Sequence, residues 1–182
     1  MTWTQTFTGK KFDIFNPDPA AICIEDIAHH LSQINRFNGG TPFPYSVAQH
    51  SIMVSRLCPA GHELAGLLHD AAEAYIGDWP GPWKEEVHIG CIDILEIEKG
   101  VNDVICRAIG CRLLDYDFNN EFVCRADKSA LATERRDLMP GEHVWPSDDD
   151  QVEPDPWPIR EHTAIEAEFV FLNRFKELTQ NV

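Results

Sequence analysis

From Leu64 to Ala74 the chain reads Leu-Ala-Gly-Leu-Leu-His-Asp-Ala-Ala-Glu-Ala, so three ionisable residues interrupt what is otherwise the sequence of a buried helix. An unpaired charge in a low-dielectric interior costs several kcal/mol, so a helix core avoids such groups unless they have partners or work to do. His69 and Glu73 are four apart and fall on one face of a regular helix, with Asp70 about 100° round from His69. Ala71, Ala72 and Ala74 are small and leave room above that face.

The rest of the chain reads as helices around this segment. Ile24, Ile27, Leu31 and Ile34 recur at steps of three and four and mark a buried stripe, which Asn38-Gly39-Gly40 should end. Ser46-Val47-Ala48-Gln49 fits a capping box, and the helix that it opens should run to about Leu57. A third helix is expected over roughly Ala60–Tyr75, followed by a rigid loop at Gly77–Pro82. A long helical stretch is expected from Trp83 to Ile109, with a kink near Gly90 or Gly100 and a C-cap at Gly110. Further helices are expected over about Asn119–Leu138 and Arg160–Leu178, the last burying Ile165, Phe169, Leu172 and Phe175.

Residues 1–21 form a turn-rich, irregular lead-in in which Phe7, Phe12, Ile14 and Phe15 could lie on the core as a short hairpin. Residues 140–158, rich in proline and carrying Asp148-Asp149-Asp150, read as an acidic loop. No repeat or composition shift divides the chain, so 1–182 is expected to be a single all-α domain, a non-repeating bundle of five, six or more helices.

Lys and Arg number 15 against 30 Asp and Glu, a formal charge of −15. That argues against a protein that coats DNA or RNA polymers, which needs a basic face to displace counterions. A small anionic substrate remains compatible, because a metal and a few basic side chains can invert the field in one cleft. The N-terminus lacks a basic start followed by an apolar run, and no segment reads as a membrane helix. The six cysteines contain no Cys-x-x-Cys pair. The expectation is a cytoplasmic chain with reduced, mostly core thiols.

Chemistry-bearing residues recur beyond the first segment. His50 follows the capping box by one turn, and Arg125-Ala126-Asp127-Lys128 interrupts a later helix. Two imidazoles and two carboxylates from three helices make a mixed N/O set suited to Zn, Mn, Co or Fe. His50, then His69-Asp70, then Asp127 resembles the H…HD…D signature of the HD-domain metal-dependent phosphohydrolases. The flanking Tyr45-Ser46-Val47-Ala48-Gln49-His50-Ser51 and Leu68-His69-Asp70-Ala71-Ala72-Glu73-Ala74-Tyr75-Ile76-Gly77-Asp78 are similar to the small bacterial and phage branch. That branch includes 5′-deoxynucleotidases and dATP triphosphohydrolases, and the likeness covers roughly residues 24–140.

The resemblance implies a role for each residue. His50, His69, Asp70 and Asp127 would ligate a divalent transition metal, Zn, Co or Mn, which polarises a phosphoryl oxygen and lowers the pKa of bound water. Glu73 and Asp78 would manage protons and orient water, or hold a second metal such as Mg. Arg36 would grip phosphate and Phe37 would pack on the sugar, in a place where bacterial deoxynucleotidases have Trp. Lys84 reads either as a second phosphate contact or as a solvated lysine. Trp79, Trp83, Trp145 and Trp157 are candidates for the walls of a base pocket.

The expected reaction is hydrolysis of the 5′ phosphoester of a purine deoxynucleotide, releasing phosphate from a monophosphate or triphosphate from a dNTP. Other HD chemistry, on ppGpp or cyclic nucleotides, and a non-catalytic nucleotide-binding scaffold are the rivals. A homodimer or larger homo-oligomer is expected by the same resemblance.

Overall fold

The computed structural model describes residues 2–110, 120–141, 143, 145 and 152–180. Helices dominate, with two small antiparallel pairs of strands, as the all-α reading expects. Strands β1 (Trp3–Gln5) and β2 (Lys11–Asp13) form an N-terminal hairpin in register Trp3–Asp13, Thr4–Phe12, Gln5–Lys11. Phe12 drops from it into the core, whereas Phe7 stays on the surface and stacks on His29 with ring centroids 3.7 Å apart. The lead-in is therefore ordered rather than irregular. Its anchor is Asp26, which accepts from the Thr8 amide at 2.7 Å and the Thr8 hydroxyl at 2.8 Å.

Helix α1 (Ile24–Gln33) fully buries Ile27 and Leu31 of the expected stripe, with Ala28 beside them, while Ile24 and Ile34 are half-buried against the core. It stops short of the Asn38-Gly39-Gly40 breaker. Asn35 bridges Ser46, Val47 N–H donates to Ile34 C=O, and Arg36 N–H donates to Tyr45 C=O, so the backbone is claimed by the next segment. Arg36–Gly39 then forms a separate tight turn, in which Phe37 (φ 54°) and Asn38 (φ 51°) take left-handed conformations.

Helix α2 (Val47–Leu57) opens on the predicted capping box, with both reciprocal bonds between Ser46 and Gln49 present. The expected third helix is broken. Helix α3 (Glu63–Leu68) gives way at residues 69–72 to a tighter turn, and α4 (Glu73–Ile76) follows. Ala71, Glu73, Ala74 and Tyr75 donate to carbonyls three residues back rather than four. Three residues per turn eclipse positions i and i+3. Asp70 and Glu73 therefore line up, in place of the His69–Glu73 pair that a regular helix would stack.

The stretch from Trp83 to Ile109 is also divided. Helix α5 (Gly81–Lys84) is one turn, and strands β3 (His88–Ile89) and β4 (Ile92–Asp93) pair across Gly90, whose φ of 70° suits a tight reversal. Only then does α6 (Ile94–Ile109) begin. It runs through Gly100 as one helix and ends on a left-handed Gly110. Helix α7 (Glu121–Leu138) is capped by Asn120, which accepts from Phe122 and Val123. Residues 155–159 lie along α7, where Asp155 N–H donates to Thr133 and Ile159 N–H to Asp137.

Helix α8 (Ala164–Thr179) starts at a Thr163–Glu166 capping box, four residues later than expected. Of the predicted face, Leu172 and Phe175 pack against the core, but Ile165 and Phe169 do not. Ala167 and Phe171 are fully buried, while Ile165 is 79% and Phe169 64% exposed. Both stripes have the same i,i+4 spacing; packing of α8 on α1, α2 and α3 selects the one that carries the small Ala167.

At the centre α2 packs on α3, α7 and α8, which brings the chemistry of three helices to one place. Among the described cysteines Cys58 and Cys106 are buried, but Cys91 and Cys124 are exposed, so core packing explains only part of the set. The Asp148–Asp150 run lies outside the described residues, and no described helix is long and apolar enough to cross a membrane.

Candidate metal centre and adjoining cleft

His50 leaves α2 at full burial, and His69 follows the last residue of α3. Their Nε2 atoms face each other at 3.3 Å. Asp127, from the second turn of α7, brings Oδ1 to 3.1 Å from His50 Nε2 and 3.9 Å from His69 Nε2. The donor atoms of these three residues all lie within 4.8 Å of one another, so the group could hold a metal ion. Asp70 Oδ2 lies beside it, 3.2 Å from His69 Nε2 and 3.5 Å from His50 Nε2, and 3.7 Å from Arg36.

The chemistry of the donor set fits a cation. Each imidazole is held from behind through Nδ1, His50 by Glu134 Oε1 at 2.7 Å and His69 by the Gly66 carbonyl at 2.9 Å. Both partners are acceptors, so each Nδ1 carries a proton, and toward a bound cation each ring would present its Nε2 lone pair. Two lone pairs and a carboxylate oxygen then point at one another, an arrangement that only positive charge between them relieves. Without an ion, a proton takes that place on His50. Burial and Arg36 work to lower the His50 pKa, yet Glu134 and Asp127 outweigh them and lift it to about 10. Against burial, His69, His50 and Arg36 hold the Asp70 carboxyl far below its usual range, and His50 and His69 do the same for Asp127 to a lesser degree.

A cleft of about 890 Å³ opens beside the centre. Arg36, Asp70, Glu73, Asp78, Lys84 and Asp127 line it together with Phe37, Trp79 and Trp145. Phe37 and Trp145 meet edge to face with centroids 6.0 Å apart, and the Arg36 guanidinium lies 5.3 Å from the Phe37 ring. Trp79 and Trp145 thus join the cleft as the pocket reading expects. Trp83, half exposed, and Trp157, on the surface, are not among its walls.

Burial and the neighbouring Asp70 push the Glu73 carboxyl well above its usual range, although Lys84 pulls the other way. Burial also raises Asp78. Lys84 is neither solvated nor uncommitted: its Nζ donates to Glu73 Oε1 and Glu98 Oε2, each at 3.1 Å. Sequence reasoning missed Glu98 and Glu134. Glu134 accepts from Arg36 at 3.1 Å as well as facing His50, and Arg36 and His50 keep it below its ordinary pKa despite complete burial. The available signal was spacing. Glu134 follows Asp127 by seven residues, two turns on one face of α7.

Fold and site together define an all-α helical protein with a His-His-Asp group able to hold a metal ion, opening onto an aromatic-walled, acid-lined cleft. No profile of a known protein family matches the chain. It is 39% identical over 149 residues to "Uncharacterized protein YfdR" of Escherichia coli K12, a match that covers 80% of this chain and 78% of the relative. The chain belongs to the same family as that protein. It is also 38% identical over 101 residues to "Uncharacterized protein RCAP_rcc00048" of Rhodobacter capsulatus, covering 50% of this chain and 52% of the relative.

Proposed function

We propose that the chain is a metal-dependent phosphohydrolase of the HD type that hydrolyses the 5′ phosphoester of a nucleotide, with purine deoxynucleotides as the preferred class. The observation that carries this reading is the meeting of the His50, His69 and Asp127 donor atoms at the mouth of a cleft that also contains Arg36 and a raised-pKa carboxyl pair. His50, His69 and Asp127, with Asp70 alongside, hold a divalent transition ion, Zn, Co or Mn. When bound, such an ion would supply Lewis acidity toward a phosphoryl oxygen and lower the pKa of water.

The chain's own residues do the remainder. Arg36 binds phosphate oxygens; its buried Nε has no partner among the described residues, and a guanidinium fork suits the anion. Glu73 is the proton donor: burial and Asp70 favour its protonated form, against the pull of Lys84. It releases that proton to the 5′ oxygen as the ester bond breaks, and Lys84 fixes the carboxyl through Oε1. Asp78 orients water at the same end of the cleft. Phe37 packs on the sugar, and Trp79 and Trp145 give a planar base its stacking surfaces. Lys84, already shared between Glu73 and Glu98, serves Glu73 first and phosphate second.

The test is release of phosphate or triphosphate from nucleoside mono- and triphosphates, ribo and deoxy, with Zn, Mn, Co or Mg added. Turnover that requires a transition metal and favours deoxypurine nucleotides is expected. No metal-dependent turnover of any nucleotide would overturn the proposal.

A further inference from the structure

We infer that Glu134 is a positioning residue that joins the metal-ligating His50 to the phosphate-binding Arg36 through one buried carboxylate. The inference rests on the metal-centre reading above and deepens it. Glu134 is fully buried on α7, and both its oxygens are spent: Oε1 takes the His50 Nδ1 proton at 2.7 Å and Oε2 takes Arg36 Nη2 at 3.1 Å. A carboxylate can only accept, so it selects the His50 tautomer whose Nε2 lone pair points to His69 and Asp127. It also raises the basicity of that nitrogen, which the neutral Gly66 carbonyl behind His69 does less strongly.

The second bond reaches the cleft. Arg36 opens the strained turn that carries Phe37, and among the described residues its other ion pair is with Asp70, at 3.7 Å. Without Glu134 the buried guanidinium would keep only the longer Asp70 contact, and its positive charge would stand against the cation site with less to offset it. Ligand orientation and the placement of the phosphate grip thus depend on one side chain two helical turns beyond Asp127.

The test uses the full chain and reads metal affinity rather than turnover. Co(II) and Zn(II) binding is measured by competition with a chromogenic chelator, with the Co(II) visible spectrum as a signature of ligand geometry. Glu134→Gln keeps size but cannot accept from both partners; it is expected to bind metal 10–100-fold more weakly and to alter the Co(II) spectrum, the usual cost of losing a partner behind a ligand histidine. A folded Glu134→Gln chain with wild-type affinity and spectrum overturns the inference. Should that variant fail to fold, Glu134→Asp decides: a loss of several-fold supports the inference, and unchanged affinity overturns it. A wild-type chain that binds no metal defeats the underlying metal reading instead, so the two failures are distinguishable.

Discussion

Gly66→Ala tests how the helix pair builds the metal centre. Gly66 faces α2, and a Cβ there would lie 2.6 Å from Cys58 Sγ, 3.2 Å from Ser55 Cα and 3.3 Å from Ser55 N. Ordinary contact begins at 3.4 Å, so the sulfur must retreat by about 0.8 Å and the Ser55 backbone by one or two tenths. Cys58 is buried just after α2, so a turn of its side chain must be accommodated by the core around it. Much of the relief must come from α3 moving off α2. Overpacking of this kind costs about 1–3 kcal/mol, against which alanine recovers about 1 kcal/mol of helix propensity.

The net loss, up to about 2 kcal/mol, lowers Tm by up to about 8 °C in a chain of this size. The sharper consequence falls on His69, whose Nδ1 donates to the carbonyl of Gly66 itself. A shift of α3 carries that imidazole with it, and ligand distances tolerate only about 0.2 Å. Calorimetry and chelator competition on the purified chain should show the Tm loss and at least a tenfold weaker metal affinity. The double variant Cys58→Ala/Gly66→Ala removes the worst contact and should recover part of both. Gly66→Ala with unchanged metal affinity and an equal or higher Tm would refute the reasoning, because helix propensity alone would then govern the position.

Glu73→Gln should keep metal affinity and lower kcat by about 10²–10⁴-fold, as expected when a proton donor is removed, with metal titration and steady-state kinetics as the check. Phe37→Gly should leave stability within about 1 kcal/mol, because glycine accepts the left-handed φ that phenylalanine tolerates at a cost, yet it should weaken nucleotide binding measured by calorimetry. Asp26→Asn should lose about 2 kcal/mol by weakening the bonds that tie the N-terminal hairpin to α1. Against burial, those bonds and Cys23 hold the Asp26 pKa below its usual value. Its stabilisation is therefore full above the unfolded pKa of about 3.9 and fades as pH falls through the lower folded value. Denaturant melts should show the gap between wild type and Asp26→Asn closing as pH drops from about 5 to about 2.

What sequence could reach was set by how local each signal is. The Ser46–Gln49 capping box and the Gly110 C-cap are written within four residues, and both stand where the pattern put them. The break at residues 69–72 was invisible, because leucine and alanine suit a helix; tertiary packing tightens the turn and lines up Asp70 with Glu73. On α8 two equivalent apolar stripes competed, and only the position of α1 and α2 chose Phe171 over Phe169. His50 and His69 were legible as polar intruders in apolar helices, and Asp127, set in a charged run, through the ordered H…HD…D resemblance. Glu134 was not, because Thr133-Glu134-Arg135-Arg136 reads as a solvated charged run until Arg36 and His50 are seen to close over it.

Metal content of the purified chain, measured by elemental mass spectrometry beside Asp127→Ala and His50→Ala, bears most directly on the central claim. About one transition-metal ion per wild-type chain is predicted, retained through gel filtration and lost in both variants while their helical circular dichroism persists. A wild-type chain that takes up no stoichiometric transition metal when offered Zn, Co or Mn, or variants that bind it equally well, would contradict the account.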